Sequence, residues 1–252
     1  MGKIKKKALP YTYEAGDILA ILVHGFTGTP DDMRNLASYL AQHGISARAV
    51  RLAGHGRTWQ DLDETTSYDW WKSLDDEIKD VIGKYDKIFL IGYSFGANLA
   101  FDLSARYPKD ITGVVSLGVS VYIRRNWMIT FMLPFYHFLF KKYRKKYIKK
   151  NQVIEFEDTG AYSYVPTSSI YEFKRFIKHY TKKELPKVTT PSIVIHSKDD
   201  HITHPFSSEY VYTRINSIKK ELLLLDDVNH NPLSSKRRDI IFSKIIEFIN
   251  SF

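Results

Sequence analysis

The stretch Lys87-Ile88-Phe89-Leu90-Ile91-Gly92-Tyr93-Ser94-Phe95-Gly96 decides how this chain is read. Its first half is an apolar run without alternation, the habit of a strand covered on both faces in a parallel sheet. Residues 97–107 continue at helical spacing, so a strand passes into a helix within a few residues. Gly92 and Gly96 stand two positions before and after Ser94, and their missing side chains let strand, turn and helix approach closely. Such a turn holds Ser94 in a strained backbone and presents its hydroxyl to a cleft. Beneath it lie the free N–H groups and positive dipole end of the helix, which favour developing negative charge.

Outward from this junction, short apolar runs alternate with helical patterns. Strands are expected at 18–23, 45–50, 87–92, 111–117, 192–196 and 221–226, and helices at 30–43, 70–84, 95–107 and 235–252. The fold class is therefore α/β, a mostly parallel sheet flanked by helices. The alternation breaks between about 120 and 187, far longer than an ordinary crossover. This segment is read as an inserted helical cap over the C-terminal edge of the sheet, where ligands bind in open α/β folds. Residues 1–119 and 188–252 then form the core, and Pro186 and Pro191 mark the return.

The 252 residues, 44% of them hydrophobic, suffice for one large core, and a 26% charged share is ordinary for a globular chain. The absence of cysteine excludes disulfides, thiolate metal sites and a cysteine nucleophile. The basic start MGKIKKK is not followed by the apolar stretch of a secretory signal, so a cytoplasmic location is expected. The longest apolar run, 127–140, contains Pro134 and His137 and falls short of the ~20 residues that span a bilayer.

The formal charge of +9 is concentrated. Segment 141–150 carries seven Lys and Arg and no acid, leaving +2 for the rest. One local patch, without any recognised nucleic-acid module, argues against nucleic acid as partner. With Phe131, Phe135, Phe138 and Phe140 just before it, the block suits peripheral contact with an anionic membrane; a solvated helix face is the plainer alternative.

A serine hydroxyl is a poor nucleophile near neutrality, so Ser94 needs a base and the base needs a carboxylate to orient it. Of nine histidines, His230 lies in the loop that follows the last expected strand, four residues past Asp226, with Pro232 and a helix after it. The acid should fall between serine and histidine at a strand end, and Asp199 and Asp200 both qualify. His24-Gly25-Phe26-Thr27-Gly28 follows the first strong strand. There the amide of Phe26 can join that of Phe95 as a two-donor oxyanion hole. A metal site from Asp199, Asp200, His201 and His204 is conceivable on spacing, but polar loops of this kind ordinarily just end strands at the surface; no metal and no cofactor is expected.

These segments, with Arg51-Leu52-Ala53-Gly54-His55-Gly56, Thr66 and Asp69-Trp70-Trp71, resemble the α/β-hydrolase superfamily, and within it bacterial carboxylesterases and monoacylglycerol lipases, over nearly the whole chain. The resemblance implies a small-molecule ester as substrate, hydrolysed without a cofactor. It implies Ser94 as nucleophile, Asp200 and His230 as its relay, and Phe26 and Phe95 as oxyanion donors; related loops of the form His-Gly-x-Asp-Asp-x-Val favour Asp200 over Asp199. Serine at the elbow argues against haloalkane dehalogenases and epoxide hydrolases, which use aspartate there. A thioesterase or acyltransferase would use the same acyl-enzyme, and a non-catalytic ligand-binding homologue would keep the fold without turnover. The elbow departs from the family in the bulk of Tyr93 and Phe95. Tyr93, Trp127 and Phe131 are the expected substrate contacts, with the aromatic cap shielding the acyl chain.

Overall fold

A computed structural model describes residues 2–124, 141–144, 162–226 and 228–252, with the backbone alone at 143–144. The segment 127–140, with Trp127 and Phe131, and the basic residues 145–150 lie outside the described residues. Among the described residues, no helix is long and apolar enough to cross a membrane.

The chain forms a seven-stranded sheet in the order β1-β3-β2-β4-β5-β8-β9. Its strands are β1 (Tyr11–Tyr13), β2 (Ile18–Val23), β3 (Ser46–Val50), β4 (Lys87–Tyr93), β5 (Ile111–Leu117), β8 (Ser192–Ser197) and β9 (Lys220–Leu225). All neighbours are parallel except the β1–β3 pair at the edge. Two further strands, β6 (Lys142–Arg144) and β7 (Tyr164–Pro166), pair antiparallel in a separate ladder.

The inner strands β2, β4, β5 and β8 are buried on both faces, and alternate residues feed two cores. Leu19, Ile21 and Val23 of β2 face α3 (Ser67–Val81), α4 (Phe95–Arg106), α5 (Thr167–Phe176) and α6 (Phe206–Arg214), through Trp70, Leu74, Phe101, Phe173 and Val211. Ala20 and Leu22 face α1 (Arg34–Gln42) and α7 (Arg238–Asn250), through Leu36, Leu40, Ile241 and Ile245. Each fully buried Leu, Ile or Phe side chain stabilises the fold by about 1.5–3 kcal/mol. Tyr162, Phe173, Phe176, Ile177 and Leu185 pack into the first of these cores, so the described part of the segment between β5 and β8 shares its interior with the sheet.

Several boundaries differ from the sequence reading, each for a local reason. The helix expected at 70–84 runs Ser67–Val81, because Thr66 and Asp69 form a reciprocal capping box ahead of it and Gly83 follows at φ 79°. The first helix starts as a 3-10 turn, Pro30–Met33, before α1, and the last shortens from 235–252 to Arg238–Asn250. Strand β9 begins one residue earlier than expected and β8 ends one later. Among the described residues, β1, β6, β7, α2 (Trp59–Asp63) and α6 had no periodic signal long enough to announce them.

From β2 the chain runs outward to β3 and then returns to β4 on the other side of β2, which makes the carboxyl ends of β2 and β4 the topological switch point. Val23 is paired there with Gly92, so the loop after β2 and the turn after β4 emerge side by side.

Candidate active site

The turn after β4 carries the strain its glycines foretold. Ser94 sits at φ 53°, ψ −116°, sparsely populated ground for a residue with a side chain, costing of order 1–3 kcal/mol. A Cβ at Gly96 would collide with the carbonyl oxygen of Val23 and lie 2.7 Å from that of His24, and one at Gly92 would collide with the backbone of Ala97. The Ser94 N–H donates to Leu117 O at 2.8 Å, tying the turn to the end of β5. Ser94 Oγ, in a residue 8% exposed, is left facing His230 Nε2 at 3.2 Å.

His230 is brought there by its loop. Ser197 Oγ donates to Val228 O, and Asn231 accepts the Leu233 N–H at 3.0 Å to cap the turn Pro232–Ser234. On its other side, His230 Nδ1 lies 2.7 Å from Asp200 Oδ2. The structure thus brings together the three residues expected from the sequence and separates the two acids. Asp200 is 1% exposed and bonded to the histidine, whereas Asp199 is exposed beside it. Asp199, Asp200, His201 and His204 do not converge: among the described residues no three His, Asp or Glu side chains form a metal-binding cluster.

The Asp200 carboxylate is densely solvated by protein. Oδ1 accepts the Ile202 and Thr203 N–H groups at 2.8 and 2.9 Å; Oδ2 accepts Thr203 Oγ1–H at 2.6 Å and lies 3.2 Å from His196 Nε2. Burial alone would raise its pKa, but hydrogen bonds from His196, His230 and Thr203 hold the carboxyl well below the usual range. An ionised Asp200 accepts from Nδ1–H, so His230 carries its proton on Nδ1 and offers a lone pair at Nε2 to Ser94.

The loop after β2 is shaped for donors. Gly25 lies against the elbow: a Cβ on it would stand 3.2 Å from Ser94 Cβ. Gly28 N–H closes a turn onto Gly25 O at 2.9 Å, with Thr27 at φ 62°. Two buried histidines hold this loop. His24 Nδ1 meets Gly25 O at 2.9 Å while Nε2 accepts the Leu52 N–H; His55 Nδ1 meets Ala53 O at 2.9 Å while Nε2 accepts the Thr27 N–H. Each lone pair requires a neutral ring, and burial keeps His24 so, lowering its pKa to about 4. Phe95 opens α4, so its amide is among those the helix leaves free. The Phe26 ring stacks on Phe173 (5.0 Å, 23°) and approaches Trp70 at 5.6 Å. The Tyr93 ring lies 5.4 Å from His230, so this expected substrate contact packs on the histidine.

Sequence reasoning missed three residues of this constellation: Ser120, whose Oγ is 2.9 Å from Ser94 Oγ, and Thr203 and His196 around the acid. His196 stands four residues before Asp200 and next to last in β8, a weak signal; the other two carry none in the sequence.

Residues 17–237 match the family model described as serine aminopeptidase, S33. The chain belongs to that family, within the α/β-hydrolase fold. It has curated relatives along almost its full length. It is 30% identical to a thermostable monoacylglycerol lipase of Bacillus sp. (strain H-257) over 244 residues, 96% of this chain and 94% of the relative. It is 26% identical to a carboxylesterase of Bacillus subtilis (strain 168), covering 95% of each. Among solved structures, one from a study of LipS and LipT, two metagenome-derived lipolytic enzymes, superposes with a TM-score of 0.87 at 24% identity, over 99% of this chain and 100% of that one.

Proposed function

We propose that this carboxylic ester hydrolase works through a covalent acyl-Ser94 intermediate. The observation that carries the proposal is the buried line Ser94 Oγ, His230 Nε2, His230 Nδ1, Asp200 Oδ2, with spacings of 3.2 and 2.7 Å, set beneath a strained turn. In acylation, His230 Nε2 takes the Ser94 proton as Oγ forms a bond to the ester carbonyl carbon. The carbonyl π pair moves to oxygen, where the Phe26 and Phe95 amides receive the charge. The carbonyl then re-forms as the bond to the alcohol oxygen breaks, and the imidazolium gives its proton to that oxygen. In deacylation the neutral imidazole takes a proton from a water that attacks the acyl carbon, and returns it to Oγ as the C–Oγ bond breaks. Asp200 stays ionised throughout and holds the imidazole in its working tautomer.

An apolar acyl chain, as in the monoacylglycerols named for one relative, fits the aromatic character of the proposed cap at 120–187. Thioesters and other acyl acceptors enter by the same acyl-enzyme. The test is turnover of p-nitrophenyl esters from acetate to laurate, monoacylglycerols, an acyl-CoA and an aminoacyl amide by the purified protein and its Ser94→Ala and His230→Ala variants. Ester hydrolysis that disappears in both folded variants supports the reading. Retained turnover in either, or hydrolysis confined to the amide, overturns it.

A further inference from the structure

Ser94 Oγ has a second buried partner. Ser120 Oγ lies 2.9 Å away, closer than His230 Nε2 at 3.2 Å. Ser120 follows β5 by three residues, just past Gly118 at φ 63°, and is 1% exposed. Its backbone is clamped by Asn98, one turn along α4 from the nucleophile. Asn98 Nδ2 donates to Ser120 O at 3.0 Å and to Thr181 Oγ1 at 3.2 Å, and Asn98 Oδ1 accepts the Ser120 N–H at 3.2 Å. The hydroxyl is therefore placed by contacts that do not involve the hydroxyl itself.

The direction of the serine–serine bond follows from the far end of the line. Asp200 fixes the His230 proton on Nδ1, so Nε2 is an acceptor and Ser94 Oγ–H must donate to it. Ser94 Oγ then has only lone pairs left for Ser120, whose O–H is the donor. The reverse arrangement would turn the Ser94 proton away from its base and leave the buried Nε2 lone pair without its donor.

We infer that Ser120 is a further catalytic residue, a neutral donor to the nucleophilic oxygen, completing a one-way chain Ser120 → Ser94 → His230 → Asp200. The inference rests on the reading of Ser94 as nucleophile. As the Ser94 O–H bond breaks and its proton passes to His230 Nε2, negative charge grows on Oγ before the bond to carbon is complete, and the Ser120 hydrogen bond strengthens with it. Once Oγ is an ester oxygen it is a poorer acceptor. In deacylation the C–Oγ bond breaks, Oγ regains charge and takes the proton from His230, and the same donor serves again. The Ser120 O–H bond stays intact in both steps, so no additional proton acceptor is needed.

The test is the rate at which a fluorophosphonate labels Ser94, read beside kcat and KM for a p-nitrophenyl ester. Ser120→Ala removes the donor and leaves the Asn98 clamp. It should slow labelling and kcat about tenfold with KM within twofold. Ser120→Cys, similar in size and a weak donor, should fall between, about threefold slow. If the alanine variant fails to fold, the cysteine variant decides. Labelling by either folded variant at the wild-type rate overturns the role of Ser120. Failure of the wild type to be labelled at Ser94 overturns the reading of the nucleophile instead, so the two failures are distinguishable.

Discussion

Asp200 and Asp102 are two carboxyls buried to a similar degree, 1% and 9% exposed, and they end up on opposite sides of the ordinary carboxylate range. Asp200, on the loop after β8, gathers two backbone amides, a threonine hydroxyl and two histidines, and is held low. Asp102, on α4 against α3, receives the Trp71 Nε1–H at 2.7 Å on Oδ2, while its Oδ1 is buried without a hydrogen-bond partner. Burial pushes it up to about 6, with the Trp71 bond only partly offsetting this. Burial makes a carboxylate costly, and the donors around it decide whether that cost is met. The loop after β8 supplies those donors; the α3–α4 contact leaves one carboxyl oxygen without any.

The comparison can be broken most severely at Asp200. Asp200→Asn leaves the shape but presents an amide to His230, favouring the wrong tautomer. We expect kcat for ester hydrolysis to fall about 10³–10⁴-fold, while Asp199→Asn, at an exposed position, stays near wild type. Crippling of Asp199→Asn instead would reassign the acid.

A smaller effect is expected at Thr203. Thr203→Val removes the hydroxyl donor on Oδ2 but keeps the backbone amide on Oδ1, and should lower stability by about 1.5–3 kcal/mol, as for hydrogen bonds to charged groups. Chemical denaturation of the two proteins checks this. A loss below the error of the measurement would mean that the remaining donors already satisfy the carboxylate.

A third effect, on stability alone, sharpens the contrast from the other side. Because Asp102 holds its proton more tightly folded, near 6, than unfolded, near 3.8, its favourable contribution is complete below about pH 3.8 and lost as pH rises through about 6. Asp102→Asn should therefore raise Tm relative to wild type at pH 8, by an amount on the order of 2 kcal/mol in stability, and progressively less towards pH 4, with kcat unchanged. A Tm difference independent of pH would mean that Asp102 does not titrate in this window.

Much of this was legible in the sequence because it is local. The run 87–91 with Gly92, Ser94 and Gly96 specifies strand, strained turn and helix from neighbouring residues, and the structure follows it closely. The short edge strand β1 was not legible, since three residues carry no period and are defined by pairing with Ala47 to Ala49 of β3. The choice between Asp199 and Asp200 needed burial, and two supporting hydroxyls needed the tertiary fold. Ser120 reaches Ser94 across 26 residues and stands in no pattern with it, while Thr203, only three residues from the Asp200 it bonds, is set beside His230 across 27 by the fold.

The central claim is tested most directly by mass spectrometry of the protein quenched during turnover of a p-nitrophenyl ester. The account predicts a population heavier by one acyl group, with the added mass on the peptide containing Ser94 and none in Ser94→Ala. Acyl groups found on another residue, or full turnover with no acylated protein at any quench time, would contradict it.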